Sequence, residues 1–216
     1  MDNRVSVSIL SADFMHLEDE IKKIEQSGAD MLHFDIMDGV FVNNISFGFP
    51  ILDVVNKHTS MHLDAHLMIT DPLKYINDCS KFGADTITFH VESESNTLST
   101  INAIRKTGAK IGLSVKTNTP FDVAKPFMDK INMLLIMTVE PGFGGQSFIK
   151  EMVDKISMAR NYIKENNLNV DIQVDGGINA ETAKLAANAG ANIMVAGSYL
   201  FKSDDMSKAV KSLRCV

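Results

Sequence analysis

The chain is predicted to fold as one α/β domain, a (β/α)8 barrel spanning residues 1–216. Three observations predict it. β-rich apolar runs recur along the whole chain, helix-length amphipathic stretches separate most of them, and a Gly-Ala phrase closes several of those stretches. Parallel strand pairs need a crossover of about a dozen residues or more, which is usually a helix. Eight such units in about 200 residues match a small closed barrel. A doubly wound open sheet is the structural alternative, but it normally carries fewer strands at this length.

The strand-like runs are Val5–Leu10, Met31–Ile36, His62–Met68, Thr86–His90, Lys110–Val115, Met133–Val139, Asp171–Val174 and Ile193–Ala196. Apolar residues fall at helical spacing at Phe14, Leu17, Ile21 and Ile24, and again at Leu98, Ile101 and Ile104. Later examples are Met152, Ile156 and Ala159, then Ala183, Ala186 and Ala187. The recurring phrase reads Ser27-Gly28-Ala29-Asp30, Phe82-Gly83-Ala84-Asp85, Thr107-Gly108-Ala109-Lys110 and Ala189-Gly190-Ala191-Asn192. Glycine there can take the left-handed conformation that stops a helix, so these glycines are read as architectural.

Composition narrows the function. Hydrophobic residues make up 45% of the chain, ample for a core, and charged residues 22%. A net charge of −6, with no basic run longer than a dipeptide, argues against nucleic-acid binding. Cys79 and Cys215 give no disulfide framework and point to a reducing compartment. Met1-Asp2-Asn3-Arg4 runs straight into the first strand, leaving no room for a signal peptide, and no apolar stretch approaches the roughly 20 residues of a membrane span. The expectation is a soluble cytoplasmic protein that binds neither nucleic acid nor membrane.

Three short segments carry the chemistry. His33 and Asp35 lie in LHFDIMDG, His66 in LDAHLM, and Asp175 in QVDGG. Alternate strand residues share a face, so His33 and Asp35 project together. All four lie near strand C-terminal ends, which surround the active-site mouth in such barrels. Two imidazoles with two carboxylates suit a borderline divalent ion such as Zn, Fe(II), Mn or Co. Singly, each histidine is more often a hydrogen-bonded core residue; four suitable residues at suitable strand ends favour a metal. Such an ion can polarise a carbonyl and stabilise an enediolate, while carboxylates remove and return a proton on opposite faces.

Glycine-rich loops complete the picture. Gly142-Phe143-Gly144-Gly145 follows the sixth run, Gly176-Gly177 the seventh and Gly197-Ser198 the eighth. Glycine lets backbone N–H groups approach phosphate oxygens, and the last loops of such barrels recurrently bind phosphate. No Walker lysine follows the GFGG segment, so a nucleotide P-loop is not expected. A metal beside a phosphate pocket suggests an enzyme acting on a small phosphorylated substrate.

The segments SILSADF, HFDIMDGVFVNN, DAHLM, MTVEPGFGGQSF, VDGGI and VAGSYLF resemble those of the ribulose-phosphate 3-epimerase family, in order and over nearly the whole chain. The resemblance implies a barrel of the ribulose-phosphate-binding type that interconverts D-ribulose 5-phosphate and D-xylulose 5-phosphate in the pentose phosphate pathway. It implies His33, Asp35, His66 and Asp175 as ligands of one divalent ion per subunit, and Asp35 and Asp175 as the acid/base pair. It further implies substrate contacts from Ser8, His66 and Asp175, with Gly142, Phe143, Gly144, Gly145, Gly176, Gly177, Gly197 and Ser198 lining the phosphate and sugar pocket. Met37, Met68 and Met137 match methionines near the reacting carbons, and His90 reads as support for the site rather than a ligand. A homo-oligomer is also implied.

Three segments depart from the family pattern. Val7 stands where proline is usual, Asn43 replaces the proline of an FVPN phrase, and Lys116-Thr117-Asn118-Thr119 replaces an Asn/Lys-Pro-Gly/Ala-Thr segment. Alternative readings are an epimerase of a longer sugar phosphate such as allulose 6-phosphate, a catalytically silent sugar-phosphate sensor, and a decarboxylase of related barrels. The last would need an Asp-x-Lys-x-x-Asp set, whereas Asp64 is followed by Ala65 and His66.

Overall fold

Strand alternation here separates two environments rather than core from solvent. The computed structural model describes residues 3–214, so Cys215 and the start Met1-Asp2 lie outside the described residues. The strands are β1 (Arg4–Ser8), β2 (Met31–Met37), β3 (His62–Met68), β4 (Thr86–His90), β5 (Lys110–Val115), β6 (Met133–Met137), β7 (Asp171–Asp175) and β8 (Ile193–Ala196). Each pairs in parallel with the next, and β8 closes on β1.

Around them run α1 (Leu17–Ser27), α2 (Phe49–Asn56), α3 (Ile76–Lys81), α4 (Thr97–Thr107), α5 (Met152–Glu165), α6 (Ala180–Ala189), α7 (Ser198–Phe201) and α8 (Met206–Arg214). The β5–β6 crossover is instead two 3-10 segments, Phe121–Val123 and Lys125–Lys130. Pro120 and Pro126 remove backbone donors there, which disfavours one continuous helix.

One set of strand positions (Val5, Val7, Leu32, Phe34, Leu63, Leu67) meets the helical residues Ile21, Ile24, Ile101, Ile104 and Ile156 in one buried cluster. Positions of the other parity fill the barrel. Met31, Met133 and Ile193 plug its lower end. Above them the buried residues Ser6, His33, Asp64, Thr88 and Gln173 form a polar layer. Such a layer is tolerable only when hydrogen-bonded. Asp64 supplies much of that bonding, accepting from Gln173 Nε2 at 2.8 Å and Thr88 Oγ1 at 3.1 Å, with His33 Nδ1 at 2.9 Å.

The repeated Gly-Ala phrase acts as expected. Gly28, Gly108 and Gly190 are left-handed caps of α1, α4 and α6, and Gly83 is left-handed just after α3. Some boundaries move. β1 ends at Ser8, and Ile9–Ser11 forms a 3-10 turn. Phe14 does not share the buried face of α1: Asp13 caps a separate 3-10 turn at Phe14–His16, leaving Phe14 43% exposed. Leu98, in the first turn of α4, is also exposed, while Ile101 and Ile104 are buried.

Candidate active site

The β2–β3 register sets Asp64 beside His33 and His66 beside Asp35. Asp175 ends β7 and reaches the same point. One ligand atom from each of His33, Asp35, His66 and Asp175 lies within 4.8 Å of the others. His33 Nε2 is 3.3 Å from both Asp35 Oδ1 and His66 Nδ1. His66 Nδ1 is 3.1 Å from Asp35 Oδ1, and Asp175 Oδ2 is 3.8 Å from each imidazole nitrogen. A tetrahedral ion with bonds of about 2.0–2.1 Å sets its ligand atoms about 3.3–3.4 Å apart. The donor types and spacing therefore fit one divalent cation. Asp64 behind His33 is the carboxylate–histidine support common in metal sites.

The two carboxylates are electrostatically unlike. Burial would raise Asp35, but the charge and hydrogen bond of His33, with the His66 ring beside it, hold it well below the usual carboxylate range. Burial lifts Asp175 to about 6, and the adjacent Asp35 charge adds to the lift. His33 is itself held well above 6.5, because Asp35 and Asp64 outweigh the effect of its burial. In the metal-free site the two carboxylates thus differ in proton affinity, an arrangement suited to acid/base exchange. Beyond His66, His90 Nε2 lies 2.9 Å from His66 Nε2, and His90 Nδ1 lies 3.2 Å from Glu92 Oε2. Burial pushes His90 down to about 4. Burial would raise Glu92, but hydrogen bonding to His90 brings it down to about 2.

A cleft of about 600 Å³ opens above this cluster. Its walls include Ser8, Asp35, Met37, Met68, Met137, the Gly142–Gly145 loop, Asp175, Gly176, Gly177, Gly197 and Ser198. His33 and His66 lie fully buried at the cluster, outside the cleft lining. Ser8 Oγ donates to Asp35 Oδ2 at 2.6 Å, turning the carboxylate's other oxygen toward the histidines. A Cβ at Gly177 would overlap the Phe148 backbone, and its φ is +66°, so glycine is required there. Phe143 is 58% exposed on the glycine loop.

Sequence reasoning missed several supports. Asp64 carried a signal, since it lies two residues before His66 on the same strand face. Asn44 Nδ2 donates to Gly142 O at 2.8 Å across 98 residues, and Gln146 Nε2 donates to Glu140 O and Phe143 O, together tethering the glycine loop. No local pattern announces the Asn44 contact.

Comparison with known proteins shows the family of the chain. Residues 4–201 match the family model described as the ribulose-phosphate 3 epimerase family. A ribulose-phosphate 3-epimerase of Methanocaldococcus jannaschii is 44% identical over 211 residues, covering 98% of this chain and 89% of that protein. One from Bacillus subtilis is 43% identical over 212 residues, covering 98% of both. A 3-hexulose-6-phosphate synthase structure from Salmonella typhimurium shares the fold, with a TM-score of 0.72 at 15% identity over 98% of this chain and 96% of that one. The chain belongs to the ribulose-phosphate 3-epimerase family and is an isomerase.

Proposed function

We propose that the chain interconverts D-ribulose 5-phosphate and D-xylulose 5-phosphate by epimerisation at C3 through an enediolate, as part of the pentose phosphate pathway. The observation that carries this reading is the pair of unlike carboxylates, Asp35 and Asp175, sharing one focus with two histidines at the cleft. The ionised carboxylate takes the C3 proton from one face, and its protonated partner returns a proton to the other face. Either aspartate serves as base, depending on the direction. His33, Asp35, His66 and Asp175 would hold a divalent ion (Zn, Fe(II), Mn or Co), which when bound offsets the negative charge developing on the two substrate oxygens.

The cleft residues divide the remaining work. Ser8 orients Asp35 and faces the sugar. Met37, Met68 and Met137 supply an apolar wall that keeps water from the reacting carbon. Backbone N–H groups of the Gly142–Gly145, Gly176–Gly177 and Gly197–Ser198 segments cradle the phosphate. Among the described residues no helix is long and apolar enough to cross a membrane. We place the reaction in the cytoplasm, because two cysteines give the chain no disulfide framework. Exposed apolar residues Met15, Val40 and Ile45 support assembly as a homo-oligomer.

The test compares kcat/KM for D-ribulose 5-phosphate and D-allulose 6-phosphate. Preference for the pentose phosphate by tenfold or more supports the assignment, with tenfold being about 1.4 kcal/mol of transition-state discrimination. Preference for the longer sugar overturns it.

A further inference from the structure

We propose that Glu92 and His90 are a positioning pair that fixes the tautomer of His66, so that its Nδ1 offers a lone pair to the divalent ion. This rests on the metal-dependent reading above and assigns it two residues outside the ligand set. The argument is hydrogen-bond accounting. A carboxylate only accepts, so the nitrogen facing Glu92 Oε2, His90 Nδ1 at 3.2 Å, must carry a proton. Neutral His90 then has a bare Nε2. The facing His66 Nε2, 2.9 Å away, must donate to it. That uses the one N–H of neutral His66 and leaves Nδ1 bare, 3.1 Å from Asp35 Oδ1. Two facing lone pairs at that distance repel unless a cation lies between them.

His33 arrives at the same state by a shorter route. Its Nδ1 donates to Asp64, so the neutral ring, once metal binding has released the second proton, presents a bare Nε2 toward the same point. The two arms differ in one respect: Asp64 is fully buried in the barrel, whereas Glu92 lies in the turn just after β4. Glu92 Oε1 accepts the Lys116 backbone N–H at 2.7 Å. The Phe41 ring lies 4.9 Å from the His90 ring, and Lys116 Nζ sits 3.7 Å from the centre of that Phe41 ring. The Lys116–Thr119 segment, where this sequence departs from the family pattern, therefore reaches the metal ligands through Glu92.

The test uses zinc as the probe and reads tautomer and affinity, not only turnover. In the zinc-loaded protein, heteronuclear imidazole NMR should place the His90 proton on Nδ1 and the His66 proton on Nε2. Glu92→Gln is nearly isosteric, but its amide can donate to His90 Nδ1. That lets His90 carry its proton on Nε2 and turns the His66 N–H into the site. Zinc affinity, measured by chelator competition, should fall by about 10–100-fold, and the melting temperature of the metal-free protein should hold. His90→Gln, whose amide oxygen can accept from His66, should retain more zinc affinity than His90→Leu. A wild-type His90 proton on Nε2, or wild-type zinc affinity in Glu92→Gln, overturns the positioning role and leaves the proposed function standing. No binding of zinc, Fe(II), Mn or Co by the wild type overturns both. The wild-type tautomers decide the matter even if the variants do not fold.

Discussion

Asp175→Asn should stabilise the metal-free protein while abolishing its turnover. Burial and the Asp35 charge lift Asp175 from an ordinary 3.8 to about 6. At about 1.36 kcal/mol per pH unit, the ionised carboxylate costs the metal-free fold about 3 kcal/mol at neutral pH. The sign follows from the direction of the shift. A carboxyl raised on folding costs stability above its unfolded pKa, and the cost grows as pH rises from 3.8 through 6. An amide removes that cost, with a partial loss because its N–H group then faces the histidines, so a gain of about 1–3 kcal/mol is expected. At roughly 2–4 °C per kcal/mol for a domain of this size, the melting temperature rises by about 2–12 °C. The assay is thermal unfolding of both metal-free proteins at pH 8 and pH 4, beside a turnover assay. The gain should be present at pH 8 and nearly absent at pH 4. A variant less stable than wild type at pH 8, or one that still epimerises at a near-normal rate, refutes the reasoning.

Asp64→Asn should behave in the opposite way, because Asp64 faces three donors and an amide brings donors of its own. A buried mismatch costs about 1–3 kcal/mol, read by urea unfolding, and metal affinity should drop by about 10–100-fold. Metal uptake should weaken as pH falls through about 6, because protons then compete with the ion for the Asp175 carboxylate. Calorimetry in buffers of different ionisation enthalpy should also show proton release at pH 7, since His33 is held well above 6.5 without metal. Gly177→Ala should lose about 1–2 kcal/mol from the left-handed backbone alone. The overlap with Phe148 adds to that and should raise KM for the phosphorylated substrate by displacing the loop.

Much of the site could be read from the chain because its logic is local. His33 and Asp35 share a face by strand alternation, and the C-terminal ends of parallel strands converge by topology. The glycine loops were visible because Gly176 and Gly197 directly follow strands and Gly142 comes a few residues after one. What escaped depends on long-range or competing local forces. The Gln173–Asp64 bond joins residues 109 apart, and Asn44 meets Gly142 only after the barrel closes. Phe14 kept helical spacing, but the Asp13 cap diverted the backbone into a separate turn before α1. The β5–β6 crossover lost its helix to Pro120 and Pro126, whose effect on the intervening backbone is steric rather than periodic. The identity of the metal has the same character, since four ligands of these types accept several ions.

The most direct test of the central claim is NMR of D-ribulose 5-phosphate incubated in deuterated water with metal-loaded protein, repeated after chelation. Formation of D-xylulose 5-phosphate carrying deuterium at C3, abolished by chelation and restored by added divalent ion, is the predicted result. Epimer formed without solvent deuterium, or at an unchanged rate after the metal is removed, contradicts the account.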